Sequence, residues 1–352
     1  MVLSQNGSSD DQFSNGPVAN LTQMAIEVFK SVDDKIFDIL CHDCTGGHDI
    51  CKMLALSCID MLLDIDSMVN FIHFISRRGY LAHLVDSLIK TDSQLCRILE
   101  SVPENMKALY VYESKMAMLG RIASSHVGAE LLLEHRALGV LSGMKVYGMH
   151  PDFQVNHYIG RTESLSSFIP PVDIRYQQIL FPALSLCDVV LSTLGPENHS
   201  AITQVIHFLL SHGDMIEIVL RAGTPFLNVG LLKELSAITG LIARTANQDI
   251  TNLIEPNTNQ DLGAHLYRLQ KLMLSLFPRF ILSEATFKEM NKTDAITAYG
   301  TANVSEQQKL KAQQVKYFLE IAANLALYAR NAIANHSADH RATGVLFAPN
   351  IN

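Results

Sequence analysis

The sequence has 352 residues, of which 48% are hydrophobic and 18% charged, and its formal net charge is -8. A chain of this length has enough interior to fold without disulfide or metal staples. The charged share lies below the roughly 25% of an average soluble protein, so neighbouring elements must cover much of one another's surface. The acidic balance and the absence of a run of five or more Lys and Arg residues exclude a nucleic-acid groove or an anionic membrane as the main partner, and favour proteins.

Neither a signal peptide nor a membrane span is predicted. Residues 1–19 begin with MVLSQNGSSDDQ, a polar and acidic stretch without an apolar core, which is typical of a disordered lead-in. The most apolar stretch, Ile179 to Leu191, is interrupted by Pro182 and Asp188 and is shorter than the roughly 18 to 20 residues that span a bilayer. The six cysteines are therefore interpreted as reduced thiols of a cytosolic or nuclear protein.

Helical periodicity dominates the first half of the chain. Apolar residues recur at steps of three and four over 21–44, which predicts an amphipathic helix with Asn20 as its N-cap. The next helix, over 50–66, is apolar on nearly every side, so we expect a central, buried element. Three further starts and one stop are predicted: Ser67 as a cap, Gly79 as a left-handed stop, Thr91 with Gln94 as a capping box, and a helix over 104–124.

The chain also repeats itself. The stretch from Arg78 to Leu84 is similar to the stretch from His135 to Leu141, and each joins a short helix to a new apolar helix through a tight turn. This arrangement is typical of armadillo and HEAT repeats. With no strand pattern bounded by hairpin turns, the sequence predicts an all-α fold, an α-solenoid of stacked helix pairs.

An irregular loop near 147–171 is predicted to divide the stack. Periodicity is lost there, and the segment 148–172 contains His150-Pro151, Gly160 and Pro170-Pro171. Long loops of this kind often mediate contacts. We therefore expect a first helical part over 20–147 and a second over 173–334.

The second part is also predicted to be helical. Asp173 is expected to cap a strongly apolar helix that Pro182 kinks, since proline lacks the N–H that bonds four residues back. Asp214 with Glu217 is predicted to form another capping box. The remaining helices are expected over 200–212, 231–243, 261–277 and 305–334, and an apolar tail within 335–352, Gly344 to Pro349, is expected to pack on the stack.

One cluster has the composition of a metal site. Cys41, Cys44, His48 and Cys51 form a C-x2-C-x3-H-x2-C pattern, which offers four ligands to a tetrahedral zinc. The four residues surround one helix junction, however, and established zinc knuckles space their ligands more widely. The alternative is that the cysteines pack as small apolar residues and that His48 begins the second helix.

Other chemical signatures are missing from the sequence. It contains no G-x-S-x-G elbow, no Walker loop and no G-x-G-x-x-G after a strand, so we predict no enzyme and no cofactor. Tyr110, Tyr112, Met116 and Met118 have the composition of an adaptable partner groove, but a stripe at helical spacing more often belongs to the core.

Two sets of segments resemble the C-terminal region of the nucleoporin 205 family. The similarity continues in the same order from about residue 20 to Leu346-Phe347-Ala348-Pro349 and is thin over 245–310. The segments that carry it are His48-Asp49-Ile50 with Met53-Leu54-Ala55-Leu56, Gly79-Tyr80-Leu81, Lys107-Ala108-Leu109-Tyr110 with Tyr112-Glu113-Ser114-Lys115-Met116-Ala117, Phe168-Ile169-Pro170-Pro171-Val172-Asp173 with Arg175-Tyr176, and Phe208-Leu209-Leu210-Ser211-His212.

The resemblance implies a structural scaffold and adaptor of the inner ring of the nuclear pore complex, at the nuclear envelope. It implies binding to helical segments of linker nucleoporins, especially the ninety-three-kilodalton one, and neither catalysis nor a bound metal. It assigns no partner-binding residues. A soluble transport receptor of the armadillo or HEAT type, carrying protein cargo, is the alternative function.

Overall fold

The computed structural model describes residues 34–65, 70–100, 103–151, 169–221, 229–246, 260–280 and 304–335, together with single helical positions between 21 and 31. These residues form thirteen α-helices and one 3-10 helix, and none of them lies in a strand. The predictions for Asn20, Ser67, most of the loop and the apolar tail fall outside the described residues.

The helices follow one another with short connections through the first half of the chain. Their bounds are α1 Asp34–Gly46, α2 Asp49–Ile65, α3 Asn70–Arg77, α4 Tyr80–Ile98, α5 Lys107–Ala123, α6 His126–Glu134, α7 Ala137–Ser142, the 3-10 helix Lys145–Gly148, α8 Val172–Leu194, α9 His199–Ser211, α10 Gly213–Arg221, α11 Val229–Thr245, α12 Gln260–Phe280 and α13 Val304–Asn335.

The packing of these helices produces two rows. Helices α2, α5, α8, α11 and α13 each pack against the next member of the same row, and α1, α4, α7, α9 and α12 form the second row. Contacts between α1 and α2, α4 and α5, α8 and α9, and α12 and α13 join the two rows. The first four members of the first row, α2, α5, α8 and α11, are each three helices apart in the chain. A repeat of three helices resembles an armadillo unit. The predicted α-solenoid is confirmed.

The two similar stretches occupy equivalent joints in this repeat. Gly79 lies between α3 and α4 with a φ of 77°, and Arg136 lies between α6 and α7 with a φ of 53°. Both residues are left-handed, so the chain turns sharply at the same place in each unit. Glycine adopts this conformation freely, whereas for arginine it costs about 1 kcal/mol or more.

The predicted helix start at Thr91 is wrong. Helix α4 continues from Tyr80 to Ile98, and the Thr91 hydroxyl donates a hydrogen bond of 2.7 Å to the Leu88 carbonyl inside it. The buried stripe of Leu84, Leu88 and Leu95 runs through the threonine, so packing against the neighbouring row outweighs its capping preference.

The capping predictions in the second half are also wrong. Helix α10 begins at Gly213, so Asp214 lies inside its first turn, and the Glu217 carboxylate pairs with the Arg221 guanidinium at 2.9 Å. Asp173 similarly lies in the first turn of α8, with Pro171 in the N-cap position. The acidic residues still favour these helix starts, because a carboxylate near a helix N-terminus interacts well with the helix dipole.

A buried tyrosine cluster joins α5, the 3-10 helix and α8 at the centre of the stack. The Tyr112 hydroxyl donates to the Ile179 carbonyl at 2.9 Å and lies 2.8 Å from the Tyr147 hydroxyl, while the Tyr176 hydroxyl donates to the Tyr147 carbonyl at 2.6 Å. Ile179 lies three residues before Pro182, where the proline disturbs the helical hydrogen bonds of α8. The tyrosine therefore bonds a carbonyl at the weakened part of the helix.

Buried polar side chains add further connections. The His150 ring lies 3.1 Å from the Glu234 carboxylate, which also accepts from the Gln177 amide at 2.8 Å. This contact attaches the end of the 3-10 region to α11. The Arg175 guanidinium is 1% exposed and donates to the carbonyls of Ile98 and Glu100, so α8 caps the C-terminus of α4.

Helix α8 is longer than the apolar stretch expected from the sequence. Within the described residues it is the one helix whose length and composition would suffice to cross a membrane, a test that the core helix of a soluble protein also passes. In this fold α8 contacts α5, α6 and α11, and buries Arg175 and Tyr176. Its apolar composition is thus accounted for by its central place in the first row.

Candidate interaction surfaces

Helix α2 is exposed on one side, contrary to the expectation of a central, buried element. Ile50, Leu54 and Met61 are 59%, 63% and 65% exposed, and all three lie on one face of the helix. The opposite face, with Leu56 and Ile59, is fully buried. Since α2 is the first member of its row, α5 covers one side and no helix of that row within the described residues covers the other.

Exposed apolar residues also precede α2 in the chain. Ile36 and Ile39 on α1, and Leu21, Met24 and Val28 at described helical positions before α1, recur at helical spacing and are each more than half exposed. We call these five residues, with the three on α2, the end face. Each of these eight side chains leaves roughly 100 Å² accessible, so the end face offers on the order of 800 Å² of apolar surface, above the 300–600 Å² of the largest patch on a typical monomer. Such a surface is characteristic of a protein interface.

A pocket opens among the helices of the second half of the chain. It has a volume of about 380 Å³ and lies between the C-terminus of α8, the start of α9, the C-terminus of α11 and helix α13. Its apolar lining comprises Leu191, Pro196, Ile202 and Leu327, and its polar lining includes Ser192, Arg244, Arg330 and Asn331.

The two arginines of this pocket differ in their partners. The Arg244 guanidinium pairs with the Asp188 carboxylate at 2.7 Å and donates to the Ser192 hydroxyl at 2.5 Å. The exposed Arg330 guanidinium donates to the Asn331 amide oxygen at 3.4 Å and forms no ion pair with a carboxylate among the described residues. Arg330 therefore supplies an uncompensated positive charge beside an apolar pocket.

The four residues of the sequence-predicted zinc alternative are not gathered around one point. Cys41 and Cys44 are buried, whereas His48 and Cys51 are exposed. Burial raises the pKa of Cys41 to about 12 and that of Cys44 to about 11, which favours the neutral thiol over the thiolate that binds metal. Across the described part of the chain, no three His, Cys, Asp or Glu side chains are grouped as a metal site.

The tyrosine and methionine stripe belongs mainly to the core. Tyr112, Met116 and Met118 are at most 2% exposed, and Tyr110 alone of the four is exposed, at 47%. The stripe therefore does not form a partner groove. The alternative interpretation of these residues as core is confirmed for the three buried side chains.

Sequence reasoning missed several charged residues inside the stack. The Lys115 ammonium, on a side chain that is 5% exposed, donates to the Ser87 hydroxyl at 2.8 Å, and burial lowers the pKa of Lys115 to about 8. Arg330 was missed because its place beside Leu191 depends on how α13 packs against α11. Lys115 and Arg175 each stand at a position of the helical repeat that faces the core, and this position was the signal that they are buried. Apolar periodicity alone does not identify such residues, because lysine and arginine are rarely buried.

Comparison with known proteins agrees with this architecture. Residues 8–246 match the family model described as the nuclear pore complex scaffold, nucleoporins 186/192/205. The chain is 43% identical over 332 residues to the nuclear pore complex protein Nup205 of Drosophila melanogaster, and 32% identical over 340 residues to that of Homo sapiens. These alignments cover 94% and 95% of this chain but 16% of each relative, so the chain spans about a sixth of their length. It belongs to the family of nuclear pore complex scaffold nucleoporins 186/192/205.

Proposed function

We propose that this chain is a scaffold segment of the inner ring of the nuclear pore complex, where it holds helical segments of linker nucleoporins. The family supports a scaffold role. The observation that carries the proposal is the two-row helical stack with an uncovered apolar end face, because this is a surface made for other helices rather than for a reaction. The ninety-three-kilodalton linker nucleoporin is the partner proposed.

The physical basis for this role is the way a solenoid divides its apolar surface. Each unit buries its stripe against the next unit, while the grooves between helices of a row stay open along the stack. A short amphipathic helix binds such a groove through apolar residues at i, i+3, i+4 and i+7. A rigid stack can therefore hold several segments at fixed spacing without undergoing any conformational change of its own.

The end face extends the proposal to the scaffold itself. We infer that it packs against a further pair of helices, one from each row. The exposed side of α2 would then be covered as its other side is covered by α5. Its area, on the order of 800 Å², is the area that one partner contributes to a standard stable interface. The much greater length of the two relatives supports a supply of such units.

Binding between purified proteins tests the adaptor role. The full chain is immobilised, and the helical segments of the ninety-three-kilodalton linker nucleoporin are applied one at a time, with circular dichroism confirming that the chain is folded. We expect one segment to bind and a scrambled version of the same segment not to bind. A folded chain that binds no segment contradicts the adaptor role, and rapid exchange between nucleus and cytoplasm with bound cargo would favour a transport receptor instead.

A further inference from the structure

We propose that the pocket between α8, α9, α11 and α13 is a docking site for a peptide that carries an apolar side chain next to a carboxylate. The inference rests on the proposed function in taking a protein segment as the occupant, and it adds where on the stack the segment is held and which chemistry selects it. The argument has three parts: the shape of the pocket, its charge and its rigidity.

The shape of the pocket suits an aliphatic or aromatic side chain. Its volume of about 380 Å³ falls within the roughly 300–1,000 Å³ of sites that bind small ligands. Leu191 and Ile202 are almost fully buried, so they form the floor, while Leu327 forms one wall. One turn of a helix, or two residues of an extended peptide, matches this space.

The charge of the pocket selects an acidic neighbour. Asp188 already neutralises Arg244, whereas Arg330 keeps its positive charge at the rim. The chain as a whole carries a formal net charge of -8, so a basic rim on this pocket opposes the overall charge. Arginine recognises carboxylates through paired, charge-assisted hydrogen bonds, which gives both affinity and direction. An incoming peptide with a carboxylate beside its apolar anchor satisfies both features.

The walls are fixed before a peptide arrives. The Asn331 amide, beside Arg330, donates to the Ala243 carbonyl at 2.9 Å, and the Asn324 amide donates to the Ser236 carbonyl at 3.0 Å. Side chains therefore attach α13 to α11 at two positions along the helices. The Arg244 contact with Asp188 joins α11 to α8 in the same way. A preformed pocket loses little entropy on binding, which favours recognition of a short segment.

The test selects partners from a library and then reverses the charge. Random peptides of about twelve residues, a length that allows three turns of helix, are displayed on phage and selected against the full chain. Enriched peptides are synthesised with a fluorophore, and their binding is measured by anisotropy. We expect a shared pattern of one large apolar residue with Asp or Glu within one turn of it.

Two variants assign the binding to this pocket. Arg330→Glu lies at the exposed rim and should weaken the enriched peptides at least tenfold, the loss expected for a charge-assisted hydrogen bond. Lys309→Glu makes the same change of charge on an exposed position of α13, about 30 Å along the helix, and should leave binding unchanged. Equal effects of the two variants, or enriched peptides without an acidic residue, overturn the proposal.

Other occupants give different results. If a second copy or another part of this chain fills the pocket, selection enriches no shared pattern, and the proposal is overturned; self-association that Arg330→Glu weakens identifies the second copy. A linker nucleoporin segment that binds wild-type chain and Arg330→Glu equally refutes this pocket while leaving the adaptor role intact. If wild-type chain binds no linker segment while peptides are still selected at the pocket, the adaptor role alone is contradicted.

Discussion

Replacing Tyr112 with phenylalanine tests the connection between α5 and α8, which are neighbours in the first row at the centre of the stack. The Tyr112 hydroxyl donates to the Ile179 carbonyl at 2.9 Å and accepts from the Tyr147 hydroxyl at 2.8 Å. Both partners are fully buried, and burial raises the pKa of Tyr112, so the hydroxyl stays protonated. Each buried hydrogen bond contributes about 1 kcal/mol, and we expect Tyr112→Phe to lower the free energy of unfolding by about 2 kcal/mol.

The assay is urea unfolding followed by circular dichroism, with the midpoint and slope compared between variants. Tyr110→Phe is the matched control, because Tyr110 lies on the same helix two residues away, is 47% exposed and forms no side-chain hydrogen bond with any residue that the structure describes. It should change the free energy of unfolding by less than about 0.5 kcal/mol. If the two variants lose the same stability, the Tyr112 hydroxyl does not connect α5 to α8 as described.

Three further changes test other parts of the structure. Burial lowers the pKa of Lys115 from 10.5 to about 8, so between these pH values the unfolded chain binds more protons than the folded chain, and wild-type stability rises with pH. In paired unfolding curves, the stability that Lys115→Met gains over wild type should therefore shrink from pH 8 to pH 10.5. A gain that stays constant over this range contradicts a buried ammonium. In timed alkylation followed by mass spectrometry, exposed Cys51 should react well before Cys44, whose thiol pKa burial raises to about 11, and equal rates would exclude the described burial. In thermal unfolding, Leu54→Glu should cause no loss of stability, whereas Leu56→Glu should unfold the chain, since these side chains are 63% and 0% exposed; a destabilised Leu54→Glu would mean that the end face is covered within the chain.

Local patterns predicted most of the helices, because each packs one apolar stripe against a neighbour and that stripe is written at a spacing of three and four residues. The joints at Gly79 and Arg136 were also visible, as two similar stretches at the turn between helices. The capping prediction at Thr91 failed because a capping preference is worth about 1 kcal/mol, which continued packing of an apolar stripe exceeds. The prediction at Asp214 misplaced the start of α10, which already begins at Gly213.

The position of each helix in its row was not visible in the sequence. Helix α2 has an apolar composition suited to full burial, but it is the first of its row and so presents Leu54 and Met61 outward. An apolar composition indicates that a helix is suited to burial, but it does not show whether a neighbouring helix covers each of its sides. For the same reason the pocket beside Arg330 could not be predicted, since four helices distant in sequence form it.

The contact between His150 and Glu234 sets an order of events during synthesis. The side chains are 84 residues apart in sequence and lie 3.1 Å apart in the structure. A ribosome adds about 5–20 residues per second, so His150 is made roughly 4–17 s before its carboxylate partner exists. Through that interval the first three helices of the second row, α1, α4 and α7, can already pack, while the junction near the tyrosine cluster must wait for α11. The contacts of this junction therefore form only after α11 has been made, later than the packing of α1, α4 and α7 on a growing chain.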